Sequence, residues 1–466
     1  MPLRSRASRA APPARWCPDL IGRPWRVSRV VLVIGSAVPT VASTHAVHAV
    51  IAPAGVLVDE RRTLYRLAGE IFTPDARLSD KVLDHPVVRY ELGRALAGHD
   101  DDLTTDTLLH AARLDVRDAA GVAVVSDPAA SGKLATALRI IAPAGSRPQV
   151  LTEADGDRFA AALALVDEAV RLFRRLAPEM SDDLLAHLTL FAVLKAETSG
   201  GVVSASTRYL PGLVLIDEPA SAIEIAEALV HECSHLKFFD FAVTRQFLDG
   251  ERAERAEHFV NSWSKVMWPL EQTFAAWHAY TALAQFQRAC ETQELSPVSL
   301  LPKAHDRAME IGRWLLDHES DLRSDARWLL RALLGIPADH DESRAEGGGA
   351  AAHDGAEPPR HLALVPGVRY ARAASGRVVV TKAARPLDIF WLDADSGWVM
   401  TQFRVEGATI DRASLLAAAI EDWRVTEGVA IRRLFAALES LLQTLLLEPR
   451  DEPSHCEQEQ EQGSIT

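Results

Sequence analysis

The stretch Ile223-Glu-Ile-Ala-Glu-Ala-Leu-Val-His231-Glu232-Cys233-Ser234-His235-Leu-Lys-Phe-Phe-Asp240 sets a His-Glu-x-x-His pattern inside an apolar run. Residues four apart lie on one face of a helix, so His231 and His235 can aim both imidazoles at one metal ion. Glu232 is the turn-neighbour of His231, within reach of a metal-bound water or of a ligand it holds in place. Ile223, Ile225, Ala228, Leu229 and Val230 make the approach apolar, and Asp217-Glu218-Pro219 supplies a helix-start signal upstream. The competing reading is a buried helix with two incidental histidines. The helical, mostly apolar setting favours a metal site.

Composition narrows the class. A chain of 466 residues has room for two or three domains, each with its own core. Apolar content of 48% with 24% charged residues is that of an ordinary globular protein. A net charge of -14 argues against bulk binding of nucleic acid. Cys17, Cys233, Cys290 and Cys456 show no Cys-x-x-Cys spacing, so neither a disulfide framework nor a cysteine zinc site is indicated. Cys233 lies off the ligand face and reads as a small core residue. No apolar run reaches the roughly eighteen residues that would mark a membrane span, so the expectation is a cytoplasmic protein with no membrane partner.

Immediately before the motif, Gly200-Gly201 breaks the helical pattern. Val202-Val203 and Leu213 to Ile216 then read as short strands around a Pro211-Gly212 turn. This piece runs straight into the motif helix and can wall the metal pocket with Ser204, Ser206 and Arg208. A plain hairpin with polar edge residues is an equal alternative. From about 56 to 200 the pattern is helical: Leu64, Leu67, Ala68 and Ile71 share a face, Phe159 to Leu176 is a clear amphipathic helix, and Leu184 to Leu194 reads as another. Residues 1–55, with seven arginines before position 30, read as a disordered or mis-started extension, a signal peptide being the alternative.

Downstream, Glu251 to His258 reads as a charged helix, and Trp268-Pro269-Leu270 precedes a nearly uncharged helix from Thr273 to Phe286. His278 is the polar exception in its middle. A two-histidine site still lacks a third protein ligand, and His278, Glu271 and Glu257 compete for that place. Further helices run from Ala304 to Leu334. Residues 339–360, with Gly347-Gly-Gly-Ala-Ala-Ala352, read as a flexible linker closing a domain that spans 56–338. Residues 361–449 then read as three strands (Val368 to Arg372, Val378 to Thr381, Leu387 to Leu392) followed by three helices, with Asp411 as an N-cap. The tail 450–466 reads as disordered. The expected fold is therefore mainly α with a small β element around the metal site, plus a C-terminal α+β, winged-helix-like domain.

Around the motif, Ser204 and Ser206, Leu210-Pro211-Gly212-Leu213, His231-Glu232-Cys233-Ser234-His235, Trp268-Pro269-Leu270 and His278-Ala279-Tyr280 come in an order that resembles the His-Glu-x-x-His peptide-modifying proteins encoded with ribosomal peptide natural products. That resemblance implies an Fe(II)- and 2-oxoglutarate-dependent peptide β-hydroxylase, with His231, His235 and His278 as metal ligands. It places Ser204, Ser206 and Arg208 near the cofactor, Arg208 being the candidate grip on the far carboxylate of 2-oxoglutarate. The C-terminal segment is similar in pattern to the small peptide chaperone of pyrroloquinoline quinone biosynthesis. There a leader peptide adds as a strand and packs against the last helix, which implies contacts with Phe390, Leu392, Leu434 and Leu438 and a ribosomally synthesised precursor peptide as partner.

Three mechanisms follow. In an iron hydroxylase, open positions beside the ligands receive 2-oxoglutarate and O₂, and Glu232 orients ligands. In a zinc metallopeptidase, Glu232 is the general base for a zinc-bound water. No His-x-x-Gly-x-x-His extension follows His235, where the chain reads Leu236-Lys-Phe-Phe. A non-catalytic peptide binder is the third reading, disfavoured by the intact histidine pair.

Overall fold

The computed structural model describes residues 53–450 apart from 75, 100–102, 144, 249–254, 296–300, 337–356, 383–387 and 404–407. The expected N-terminal extension, most of the 339–360 linker, Leu387, half of the segment from Glu251 to His258 and the tail from 451 lie outside the described residues. Those described fall into two compact units, 53–336 and 357–450. The described residues as a whole are mainly helical with small sheets, and no helix among them is long and apolar enough to cross a membrane.

In the larger unit the organising element is the motif helix α3 (Ala222–Thr244). Ile225, Leu229, Val230, Cys233, Leu236, Phe238 and Phe241 are all fully or nearly fully buried, on several sides of the helix. Full burial of one such side chain contributes about 1.5–3 kcal/mol, whereas helix propensities differ by less than about 1 kcal/mol per residue. Packing therefore holds α3, as its lack of a strong polar face requires. It lies among α1 (Ala54–Phe72), α2 (Asp157–Leu176) and α4 (Leu270–Thr292), with α5 (Ala304–Asp317) packed on α4.

A five-stranded sheet abuts α3. Its order is β1 (Val116–Ala119), β2 (Val122–Val125), β3 (Leu190–Leu194), β5 (Leu213–Asp217) and β4 (Ser204–Ser206). β3 runs parallel to β2 and β5, while β4 pairs antiparallel with β5 (Ser204 opposite Ile216, Ser206 opposite Val214) and forms one edge. The Pro211-Gly212 turn joins the last two. Gly212 has φ +97°, and a Cβ there would lie 2.9 Å from Thr189 Oγ1, so this turn needs glycine twice over.

Two expectations are corrected here. Leu184 to Leu194 is not one helix: a short helix ends at Leu185, and Leu190–Leu194 is the fully buried β3. The reading of 56–200 as helical also missed the β1–β2 hairpin, whose turn residues Ala120 and Gly121 both have positive φ.

The face of α3 opposite the histidines is held by buried ions. Asp240 accepts from Arg61 Nη1 at 2.5 Å and faces His187 Nδ1 at 2.6 Å. Arg61 also reaches Asp84 (2.9 Å), as does Arg89 (2.8 Å). Arg89 in turn donates to the carbonyl of Pro211 (3.1 Å), so the network ties α3 to the turn before β5. Lys237, fully buried, is paired with Asp183.

The larger unit also carries the two-stranded ribbon of β6 (Phe259–Val260) and β7 (Met267–Trp268). The smaller unit holds the antiparallel sheet β11–β10–β9 (Ile389–Trp391, Val378–Thr381, Arg369–Arg372). α6 (Ala394–Gln402), α7 (Arg412–Trp423) and α8 (Glu427–Gln443) follow. Asp411 caps α7 by accepting from Ser414 N, as its position suggests. A second sheet, not expected, sets β8 (His361–Leu364) between β12 (Thr409–Asp411) and β13 (Leu447–Pro449). These strands are three or four residues long, too short to leave a pattern.

Candidate metal centre

His231 and His235 project from α3 with their Nε2 atoms 3.2 Å apart. Two imidazoles that each hold one ion at about 2.1 Å stand about this far from one another, so the pair fits an ion as readily as a hydrogen bond between neutral rings. Burial pushes His231 down to about 4, helped by the charge of Arg307. Burial pushes His235 down to about 3, with His231 adding to the effect and Glu232 opposing it. Both rings are therefore neutral at neutral pH, the form that ligates. Nδ1 of His231 is buried and has no hydrogen-bond partner among the described residues.

Glu232 points to the sheet. Ser204 and Ser206, two apart on β4, share one face of the strand, and that face meets α3. Ser204 Oγ donates to Oε1 of Glu232 (2.6 Å) and Ser206 Oγ to Oε2 (2.7 Å). Each carboxylate oxygen thus has a hydroxyl of its own, and the group is buried. Both serines of this segment therefore serve the motif helix.

The three candidates for a further ligand are placed elsewhere. His278 is fully buried on α4, its Nδ1 3.2 Å from the carbonyl of Ser234 and its ring edge-on to Phe241. Glu271 accepts from Arg208 at 2.7 Å. Glu257 is exposed, 3.5 Å from His318. Among the described residues no three His, Cys, Asp or Glu side chains group around one point. Arg208, expected at the cofactor, instead ties the β4–β5 connection to the start of α4 and stacks on Tyr209 (5.3 Å).

What does adjoin the pair is an aromatic wall. The Tyr280 ring is 5.6 Å from that of His231, and Trp263 is 6.0 Å from Tyr280. Arg307, on α5, lies 4.9 Å from the Trp263 centroid and 5.3 Å from that of Tyr280, and it donates to the Tyr280 hydroxyl at 2.9 Å. Nothing in the local sequence marks Arg307; only the packing of α5 on α4 brings it here.

In the smaller unit, Leu434 and Leu438 are fully buried in the core with Val378, Val380 and Leu441, so they have no surface to offer a peptide, contrary to expectation. Their spacing marks the inner face of α8, which the fold itself consumes. Phe390 and Leu392 are half-buried beside that core, Phe390 on β11 and Leu392 just after it. No protein-family model matches the chain, and no curated protein matches it.

Proposed function

We propose that this protein is a metal-dependent peptide-modifying enzyme, an Fe(II)- and 2-oxoglutarate-dependent hydroxylase that acts on a side-chain β-carbon of a ribosomally made precursor peptide. The observation that carries the choice is the state of Glu232. A general base needs a lone pair directed at the water it deprotonates. Here each carboxylate oxygen spends one of its two lone pairs on a serine hydroxyl, which suits a group that positions the motif and sets the field around it.

Bound Fe(II) with 2-oxoglutarate would supply the oxidation: one atom of O₂ enters the peptide C–H bond, the other enters succinate, and carbon dioxide leaves. His231 and His235 would hold such an ion through two neutral imidazoles. Glu232 is fixed by Ser204 and Ser206, Tyr280 closes one side against water, and the open edge of β4 can take an extended peptide. In the smaller unit the edge strand β11, with Phe390 beside the core, offers the corresponding place for a leader segment.

One observation favours the alternative, a zinc metallopeptidase: an antiparallel edge strand beside a His-Glu-x-x-His helix suits a peptide laid across the metal for hydrolysis. The test uses full-length protein purified without O₂, loaded with Fe(II) or Zn(II), given 2-oxoglutarate and a precursor peptide encoded beside the gene, then O₂. Succinate and a one-oxygen mass gain with iron are expected. Peptide fragments with zinc and no succinate would overturn the hydroxylase in favour of the peptidase.

A further inference from the structure

Two peptide groups of α3 lead directly into the histidine pair, Val230–His231 and Ser234–His235, and each carries an added hydrogen bond. Ser234 Oγ donates to the carbonyl of Val230 at 2.7 Å, and His278 Nδ1 donates to the carbonyl of Ser234 at 3.2 Å. In a helix these carbonyls already accept from the N–H four residues on, so each takes a second donor. A peptide group is planar, and the N–H at the far end of each of these two belongs to a histidine of the pair. A carbonyl drawn off the helix axis therefore turns the group that carries His231 or His235, which is how side-chain donors on helix carbonyls bend helices.

A helical serine often bonds back to the carbonyl four residues before it, and Thr244 does the same to Asp240 at 2.7 Å, so the Ser234 bond alone is ordinary. The His278 bond is not. It crosses from α4, where Phe274 to Phe286 holds no Asp, Glu, Lys or Arg, and the side chain is fully buried there. An apolar residue would cost less to bury at that position. The imidazole instead meets the one carbonyl that shares a peptide group with His235, with Phe241 edge-on to its ring at 6.3 Å. Ser234 belongs to both bonds, as donor through its hydroxyl and as acceptor through its carbonyl. One line of hydrogen bonds thus runs from α4 to the two peptide groups that aim the pair.

We infer that Ser234 and His278 are positioning residues that hold these peptide groups so that His231 and His235 meet one ion at their 3.2 Å separation. The inference rests on the metal-centre reading and holds equally for iron or zinc chemistry. His278 acts on the backbone of the motif helix, not on the ion, and Ser234 passes its hold on to the first histidine.

The test titrates full-length protein, freed of metal, with Co(II), reading the visible bands of the bound ion, and measures the urea midpoint of each variant alongside. Ser234→Ala and His278→Leu should bind Co(II) about ten- to hundredfold more weakly, the usual effect of losing a hydrogen bond that orients metal ligands, with bands displaced from those of wild type. His278→Asn should recover most of that affinity, because its amide NH₂ stands as many bonds from the backbone as Nδ1 does. Lower urea midpoints with unchanged Co(II) affinity and bands would show a purely stabilising role and overturn the inference. Equal losses in His278→Asn and His278→Leu would also overturn it, since the imidazole itself would then be what the ion needs. If wild type takes up no Co(II), the metal centre falls and the inference with it, whereas equal uptake by wild type and all variants removes the inference alone. Should His278→Leu fail to fold, Ser234→Ala decides: wild-type affinity overturns the inference, and a loss of about tenfold or more supports it.

Discussion

Replacing Glu232 by glutamine separates the two chemistries this site can support. Glutamine keeps the shape of the side chain and, with a small rearrangement, both of its contacts. Its oxygen still accepts from one serine, and its NH₂ donates to the other once that hydroxyl turns to accept. Two hydrogen bonds to a charged acceptor, at 2.6 and 2.7 Å, become two neutral ones. The difference is about 1 kcal/mol per bond, or about 2 kcal/mol in all, roughly thirtyfold in any equilibrium that depends on this placement. If Glu232 orients the motif, Glu232→Gln should bind metal about ten- to hundredfold more weakly and, at saturating metal, keep a measurable fraction of its turnover. If Glu232 moves a proton, metal affinity should hardly change while turnover falls by the 10²–10⁴-fold typical of a lost general base.

Metal titration and turnover at saturating metal read the two quantities separately. Ser204→Ala and Ser206→Ala sharpen the comparison. Each should weaken metal binding in the wild type and do so much less in the Glu232→Gln background, because the serines act through that carboxylate. Unchanged metal affinity in Glu232→Gln with turnover down more than a thousandfold would refute the orienting role.

Other predictions address the frame that carries the site. Asp240→Asn leaves Arg61 with Asp84 alone and deprives His187 of its anion; a cost of about 3–5 kcal/mol is expected, seen as a lower urea midpoint at constant slope, and a loss below about 1 kcal/mol would contradict the buried network. His85 is buried with both ring nitrogens unpartnered among the described residues, and burial pushes it down to about 4 from an ordinary 6.5. Its folded value is the lower one, so the unfolded chain binds more protons between the two. Stability should be full above pH 6.5 and fall by roughly 3 kcal/mol as the pH drops to 4, and His85→Phe should remove that part of the slope. Cys233 is fully buried and burial pushes its thiol well up, so iodoacetamide should modify it only after unfolding; peptide mapping that finds it alkylated in the native protein would contradict its place in the core.

What could be read from the chain alone, and what could not, follows from the range of each signal. The i, i+4 spacing that puts His231 and His235 side by side is local, and so is the i, i+2 spacing that sends Ser204 and Ser206 to one face of a strand. β3 was hidden because a strand buried on both faces loses its alternation: Leu190 to Leu194 is apolar throughout, and only its length separates it from a helix. His278 shows a different limit. Spacing shows that α4 is buried but not which of its faces meets the histidine pair. Tyr280 fixes that face, since its ring lies beside His231. His278 precedes it by two residues, about 200° around the helix, so when one of them faces the pair the other cannot. The ring rests against the backbone carbonyl of Ser234 and against Phe241. A ligand search by residue type would choose His278 over Tyr280 every time. The register of α4 against α3 chooses Tyr280 instead, and with it Arg307, whose arrival depends on a third helix.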